Sequence, residues 1–335
     1  MLNAVFLTEP LNSPSTRFRV LQNIPELERQ GISVKVEPIP KALSRRLRII
    51  NSLSSYDLVF LQRRLLQWWI LWLIRKRSKI LIYDFDDAVM FRDSSSRDFI
   101  SRSRRSRFRN TLRYADVVIP GNDYLKGLAL QFIDGDKVKV IPTGINTEIY
   151  PERKEEDKSG IVTLGWIGTK PNLMYLRDVI EPINKLHAEV KNFRFKIVCD
   201  GFLNGFDCPI EKKWWSEEEE VKDIQSFDIG ILPLKEDRWT RGKCALKLLQ
   251  YLSCGVASLS SVTAVTRAII RDGINGFLAA DPMEWVDKLR ALVEDSNRRG
   301  KVGREGRRSV IGSYDSKTIA GEYAALFRNS TSKTE

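Results

Sequence analysis

Short apolar runs alternate with longer amphipathic stretches along the chain, and they do so in two successions. The first holds "NAVFL" (3–7), "ISVKVE" (32–37), "DLVFLQ" (57–62), "KILIYD" (79–84), "DVVIP" (116–120) and "VKVIP" (138–142). Runs of this length, spaced for crossover helices, predict strands of a parallel sheet. The second succession holds "GIVTLGWIG" (160–168), "FRFKIVCDG" (193–201), "FDIGILPL" (227–234), "VASLSS" (256–261) and "GFLAA" (276–280), with helical stretches near 172–189, 243–253 and 283–294. Between the two, "PERKEEDKS" (151–159) has no apolar anchor and reads as a linker. At the end, "YDSKTIAGEYAALF" (314–327) sets Ile319, Tyr323, Leu326 and Phe327 at helical spacing ahead of the polar tail "RNSTSKTE".

The pattern predicts an α/β chain of two Rossmann-like, doubly wound domains facing a cleft, over 1–150 and 151–313. A closing helix and tail, 314–335, is expected to pack back toward the first domain. The length of 335 residues agrees with two such domains.

Composition narrows the function. Hydrophobic residues at 42% and charged residues at 29% describe a globular chain. Lys+Arg 55 against Asp+Glu 43 gives a net charge of +12, which calls for an anionic partner: phosphate, membrane surface or nucleic acid. Cys199, Cys208, Cys244 and Cys254 form no CxxC and have no His at metal spacing, so a reducing, cytoplasmic compartment is expected. "MLNAVFLTEP" reads as a first strand rather than a signal peptide. The longest apolar run, "LLQWWILWLI" (65–74), is half of the roughly 20 residues that a spanning helix needs.

Two stretches carry candidate chemistry. "KILIYDFDDAVMF" (79–91) ends a strand in Asp84, Asp86 and Asp87. Carboxylates so spaced chelate Mg²⁺, open a haloacid-dehalogenase-type phosphatase motif with Asp84 as nucleophile, act as a base at a sheet's ligand edge, or merely cap a turn. "FDIGILPLKEDRWTRGKCALKLLQYLSCGVASLSS" (227–261) places Arg241, Lys243 and Lys247 at the expected start of a helix, where free N–H groups and the helix dipole attract a diphosphate. Gly242 would let such a ligand approach the backbone, and Gly255 stops the helix.

With "DGINGFLA", "EWVDKLRALVED", "ADVVIPGNDYL" and "VKVIPTGINTEIY", this stretch resembles the GT-B glycosyltransferases of family 4 across nearly the whole chain. The resemblance implies a retaining transfer of a sugar from a UDP-, GDP- or ADP-linked donor to a glycan or lipid-linked acceptor, as in cell-surface polysaccharide or lipopolysaccharide synthesis. No cofactor beyond the sugar nucleotide is implied. Two departures stand out. Positions where many members carry Glu read Gly242 and Gln250, and the usual Gly-Gly loop is replaced by "EPLNSPSTRFRV" (9–20). Gln250 retains the ability to bond a ribose hydroxyl.

On this layout Asp86 or Asp87 becomes the base that takes the acceptor's proton, and Asp84 orients the loop. The chain's single histidine, His187, reads as a packing residue. The resemblance adds Lys170, with Gly168 beside it, to Arg241, Gly242, Lys243 and Lys247 around the diphosphate, while Arg17 and Arg19, just after the first strand, and Asn122 are expected near acceptor or phosphate. It also implies no metal, because helix dipole and basic side chains stabilise the leaving group. Trp68, Trp69 and Trp72, with basic flanks, and the arginine row that includes Arg104 and Arg105 are expected at an anionic membrane surface. No nucleic-acid module accompanies the charge. The alternatives are a non-catalytic relative that binds sugar nucleotide or lipid, and a Mg²⁺-dependent phosphatase using Asp84.

Overall fold

The computed structural model describes residues 1–154 and 160–332. Five strands, β1 (Leu2–Thr8), β2 (Ile32–Pro38), β3 (Leu58–Gln62), β4 (Ile80–Phe85) and β5 (Val117–Pro120), form an all-parallel sheet in the order β2-β1-β3-β4-β5. Every residue of β3 and β4 is buried, which is why both read as unbroken apolar runs rather than alternating ones. The helix Ser316–Ser332 covers one face, packing Ile319, Tyr323 and Phe327 on Phe6 and Phe60. The helices Trp68–Arg77 and Arg102–Tyr114 belong to the apolar cluster that includes Tyr83, Phe85 and Phe108.

Six more strands, β6 (Val162–Ile167), β7 (Phe193–Cys199), β8 (Ile210–Trp214), β9 (Ile229–Leu232), β10 (Ala257–Ser261) and β11 (Phe277–Ala279), form a second parallel sheet. Its order is β11-β10-β9-β6-β7-β8. The chain runs outward from β6 to β8 and then returns to the other side of β6, so the topological switch point lies between β6 and β9.

The chain divides into two compact units: Met1–Gly144 with Asp237–Cys244 and Ser316–Glu335, and Ile145–Glu236 with Ala245–Asp315. The short segment Asp237–Cys244 thus belongs with the first sheet although it lies in the second succession of strands. The expected linker at 151–159 lies partly outside the described residues.

Several sequence expectations are corrected. "VKVIP" is not a strand: Lys139 N–H donates to Val118 O and Ile141 N–H to Pro120 O, but Pro120 has no N–H to return, so the ladder stops at an isolated bridge. β8 was not expected, because Glu211, Lys212 and Lys213 break its apolar pattern, as suits an edge strand. The helix Ser296–Ser313 was also missed. It packs through Val302, Gly303, Gly306 and Val310, and a Cβ on Gly303 would lie 2.1 Å from Gly255 O, so glycine rather than bulk makes its contact face. The polar tail is helical as far as Ser332, with the Ser330, Thr331 and Ser332 hydroxyls donating to carbonyls of the preceding turn.

Candidate active site

Asp84, the penultimate residue of β4, has no exposure and is paired in register with Gln62 of β3 and Ile119 of β5. Its two oxygens are bridged by the fully buried guanidinium of Arg19: Nε donates to Oδ1 at 3.1 Å and Nη2 to Oδ2. Tyr323 adds a third hydrogen bond, its hydroxyl donating to Oδ2 at 3.0 Å. Burial pushes the Asp84 carboxyl up, and Arg19 pulls it back. The remaining Arg19 donors go to Ile141 O at 2.8 Å and Thr143 Oγ1 at 3.4 Å. Arg19 is thereby placed inside the unit rather than toward a ligand, and Asp84 offers no oxygen to a substrate phosphorus. Arg17 stands half-buried with its guanidinium 5.1 Å from the Phe18 ring centre. The segment that replaces a glycine loop is a short helix, Pro14–Arg19, capped by Ser13.

Asp86 and Asp87 follow β4 and lie within reach of a different cation. Arg63, just past β3, holds a left-handed backbone at φ +59°, a conformation that costs a branched or long side chain energy and persists where surroundings enforce it. Its N–H donates to Asp84 O at 2.7 Å and its carbonyl accepts from the Tyr83 hydroxyl at 3.3 Å. So held, Nη2 donates to Asp87 Oδ2 at 2.5 Å, Nε lies 3.9 Å from Asp86 Oδ1, and Nη1 lies 3.6 Å from Glu9 Oε2. Burial works against the Arg63 charge, yet Asp87, Asp86 and Glu9 hold its pKa above the ordinary value. Burial also pushes the Asp87 carboxyl up, against the pull of Arg63 and Lys243. Asp86 differs: its Oδ1 is buried with no hydrogen-bond partner. The three carboxylates therefore have different partners, and among the described residues no group of carboxylate, His and Cys side chains is arranged to hold a metal ion.

The segment Asp237–Cys244 is fastened over these aspartates from within the same unit. Asn122 caps the helix Asp123–Ala129, accepting from Leu125 N–H at 2.9 Å, and its amide donates to Arg241 O at 3.3 Å and Lys243 O at 3.0 Å. Cys244 Sγ lies 3.4 Å from Asp86 O, and burial pushes its pKa to about 12. Gly242 is pressed on Ala88: a Cβ there would meet Ala88 N at 2.6 Å. This corrects the expectation that Gly242 admits a ligand; its missing side chain admits the backbone of "DDA" instead. Asn122 likewise positions the segment. Arg241 lies 4.4 Å from the centre of the Tyr124 ring, and Lys243 Nζ lies 5.8 Å from that of Trp239.

Lys243 is also not helical, which corrects its expected place at the start of the helix. The helix starts later, at Leu246–Ser253, because Ala245 turns left-handed at φ +48°. Lys247 stands in its first turn with Nζ 6.0 Å from the Trp166 ring centre. At the end of β6, Gly168 makes room for Trp166, whose ring atom would lie 2.3 Å from an added Cβ. Exposed Lys170 begins a short turn, its N–H bonded to Asp200 Oδ1 at 2.5 Å. Gln250 is buried, with its amide donating to Glu220 Oε1 at 3.1 Å and the Tyr150 hydroxyl at 3.2 Å. It is an internal link, which corrects its expected place against a ribose. His187 packs edge-on against Phe193.

In the first unit Trp68 is 62% exposed and Trp72 44%, while Trp69 is half-buried and donates to Gln67 Oε1 at 2.7 Å. The helix carrying them is anchored by Ile70, Leu71 and Ile74. On the neighbouring helix Arg102, Arg104, Arg105, Arg107 and Arg109 are exposed. A groove of about 350 Å³ runs between Trp68, Trp69 and Arg107. No described helix is long and apolar enough to cross a membrane.

Arg63, Glu9, Tyr323 and Cys244 escaped the sequence reading as site residues. Only the register Gln62↔Asp84, which brings "RR" after β3 beside "DD" after β4, exposes the first of these.

Residues 159–295 match the family described as "Glycosyl transferases group 1". No curated protein sequence matches the chain. Three solved structures illustrate the likeness over the whole length. A sucrose-phosphate synthase from Thermosynechococcus elongatus superposes with a TM-score of 0.74 at 12% identity, covering 98% of this chain and 99% of that one. HepE of Anabaena in complex with UDP-glucose gives 0.69 at 14% identity, covering 98% and 100%. A glycosyltransferase from Rickettsia africae gives 0.71 at 12%, covering 98% of each. The chain has the GT-B fold of two Rossmann-like units, and its residues 159–295 match the glycosyl transferases group 1 family.

Proposed function

We propose that the protein transfers a sugar from a nucleoside-diphosphate donor to a glycan or lipid-linked acceptor, with retention of configuration and without a divalent cation. The observation that carries this reading is the group 1 match over 159–295 in a chain with the GT-B fold along its length. HepE, of the same fold, was solved with UDP-glucose, which supports a sugar nucleotide as donor.

In this reading the first unit serves the acceptor and the second holds the donor. Asp86, whose buried Oδ1 accepts no hydrogen bond, takes the proton of the acceptor hydroxyl as that hydroxyl oxygen bonds to the anomeric carbon on the same face from which the diphosphate departs, the front-side displacement that retention requires. Asp87 is held by Arg63 and keeps the charge of the loop in place. Lys170 and Lys247, both of the second unit, supply positive charge to the leaving diphosphate, the task a metal performs elsewhere. The pairing of Asp84 with Arg19 and of Asp87 with Arg63 supports the metal-free form.

We further propose peripheral attachment at the cytoplasmic membrane face through Trp68, Trp72 and the arginine row. Exposed indoles beside clustered cations suit the interfacial zone of anionic lipid. Thermal unfolding with UDP-, GDP- and ADP-glucose tests the donor reading, since a ligand of the folded state raises the midpoint. A rise with one donor series is expected; no rise with any removes the reading.

A further inference from the structure

In the first unit the helices Trp68–Arg77 and Arg102–Tyr114 follow β3 and β4 and pack against each other. A crossover helix in a parallel sheet starts at the carboxyl edge of the strands. The first turns of both helices therefore stand at the edge where Asp86 and Asp87 follow β4. Deeper along these helices the packing is apolar, with Leu71, Ile74, Phe108 and Leu112 buried in one cluster. At the starting end it changes. Ser103, Ser106, Arg107 and Asn110, at i, i+3, i+4 and i+7 of one helical stripe, line a groove whose other wall holds Trp68 and Trp69. A stripe that would ordinarily seal the seam with apolar side chains carries two hydroxyls, an amide and a guanidinium, and about 350 Å³ stays open. That is at the lower end of the roughly 300 to 1,000 Å³ of small-molecule sites.

The aromatic wall is preorganised. Trp69 Nε1 donates to Gln67 Oε1 at 2.7 Å, and the Gln67 side chain, at the start of the helix, caps none of the helix N–H groups. Gln67 holds the indole instead. A ring already fixed loses little freedom when a ligand seats against it. No carboxylate lines the groove, and Arg104, Arg105 and Arg109 stand exposed on the same helix. The C–H face of a sugar ring suits an indole face, its hydroxyls suit groups that both donate and accept, and a guanidinium suits an anionic substituent. A lipid surface asks for apolar anchors and charge, not for hydroxyls and amides gathered in a groove.

We infer that this groove seats an anionic sugar ring of the acceptor glycan, either a uronate or a phosphorylated sugar, apart from the hydroxyl that reacts. The inference rests on the transferase reading above and deepens it by giving the acceptor a chemical class. Trp69 takes the face of the ring, Ser103, Ser106 and Asn110 its hydroxyls, and Arg107 its charge.

Ligand-observed saturation-transfer NMR on the full-length protein tests this with methyl glucuronide and glucose 6-phosphate as probes and methyl glucoside as the uncharged control. At least one charged sugar is expected to bind about tenfold more tightly than methyl glucoside, the scale of a charged hydrogen bond. Saturating UDP or GDP should leave that binding in place, and inorganic phosphate at equal concentration should not displace it. Arg107→Gln should bring the charged sugar down to the level of the neutral one. Ser106→Phe, which fills the groove from an exposed position, should abolish binding of both. Sugar binding that persists in Ser106→Phe, or that UDP or GDP displaces, overturns the groove. So does displacement by phosphate, because charge alone is then read. Loss of anionic-vesicle binding in both variants, with no sugar bound by the wild type, overturns it in favour of a lipid headgroup. A wild-type protein that binds UDP or GDP by calorimetry and none of the sugars overturns the groove and leaves the donor reading standing, whereas failure to bind UDP-, GDP- and ADP-glucose removes the donor reading itself and the acceptor subsite with it.

Discussion

Arg63 Nη2 lies 2.5 Å from Asp87 Oδ2, donated from a residue whose backbone stands at φ +59°. The pair fixes Asp87 and leaves its neighbour Asp86 with a buried oxygen that accepts no hydrogen bond. Asp86→Asn should therefore lower kcat by about 10² or more with donor affinity unchanged. Asp87→Asn should instead cost roughly 1.5 to 3 kcal/mol of stability, the range of charge-assisted hydrogen bonds. Single-turnover rates and urea unfolding of the two variants separate the roles, and the reverse pattern would assign the base to Asp87.

The buried Arg19 and Asp84 pair predicts a stability effect with a definite pH sign. Arg19→Met leaves a buried carboxylate with Tyr323 as its remaining donor, a loss of about 3 to 5 kcal/mol at neutral pH. Burial already pushes the Asp84 carboxyl up, and removing Arg19 removes the opposing pull. The folded variant then holds a proton that the unfolded chain has released, so stability falls as pH rises above the ordinary carboxylate range. Urea unfolding should show a smaller penalty at pH 5 than at pH 7. A penalty that is constant or larger in acid contradicts a buried, proton-binding Asp84.

Donor affinity should respond to the cations. Lys247→Ala and Lys170→Ala are each expected to weaken the sugar nucleotide by about 1.5 to 3 kcal/mol, read by calorimetry. Gly242→Ala should act otherwise, by displacing Asp237–Cys244 from Ala88, so its loss should appear in the unfolding midpoint as well. Unchanged affinity in both lysine variants would remove the diphosphate assignment.

Attachment to membranes predicts binding to anionic vesicles over neutral ones, weakened by salt as screening requires. Trp68→Ala with Trp72→Ala should reduce it without a change in the unfolding midpoint, because both rings are largely exposed. Equal and negligible sedimentation with both vesicle types would leave these tryptophans without a lipid role.

How much of this was legible follows from what one-dimensional patterns carry. The parallel strands were visible because double burial makes apolar runs, as in "LVFLQ" and "ILIYDF". β8 was not, since an edge strand keeps charges, and Ser296–Ser313 was not, since its contact is glycine on backbone. The charge clusters of "DFDD" and of the basic segment after β9 were legible from residue type. Their contacts were not: they depend on strand register, on the left-handed turns at Arg63 and Ala245, and on Asp237–Cys244 joining the first unit. Gln250 looked like a ligand contact because position and type fitted, whereas its partners Tyr150 and Glu220 lie 100 and 30 residues away in sequence.

The central claim is sugar transfer by a metal-independent GT-B enzyme, and one assay addresses it directly. The protein is incubated in EDTA with the donor that raises its unfolding midpoint and with lipid-linked and soluble glycan acceptors, and the product is analysed by mass spectrometry and by NMR of the anomeric proton. The account predicts a glycosylated acceptor, equimolar nucleoside diphosphate, the donor's anomeric configuration and no loss of rate to the chelator. Binding of the donor without any transfer would make the chain a non-catalytic relative, and transfer that disappears in EDTA and returns with Mg²⁺ would contradict the metal-free mechanism.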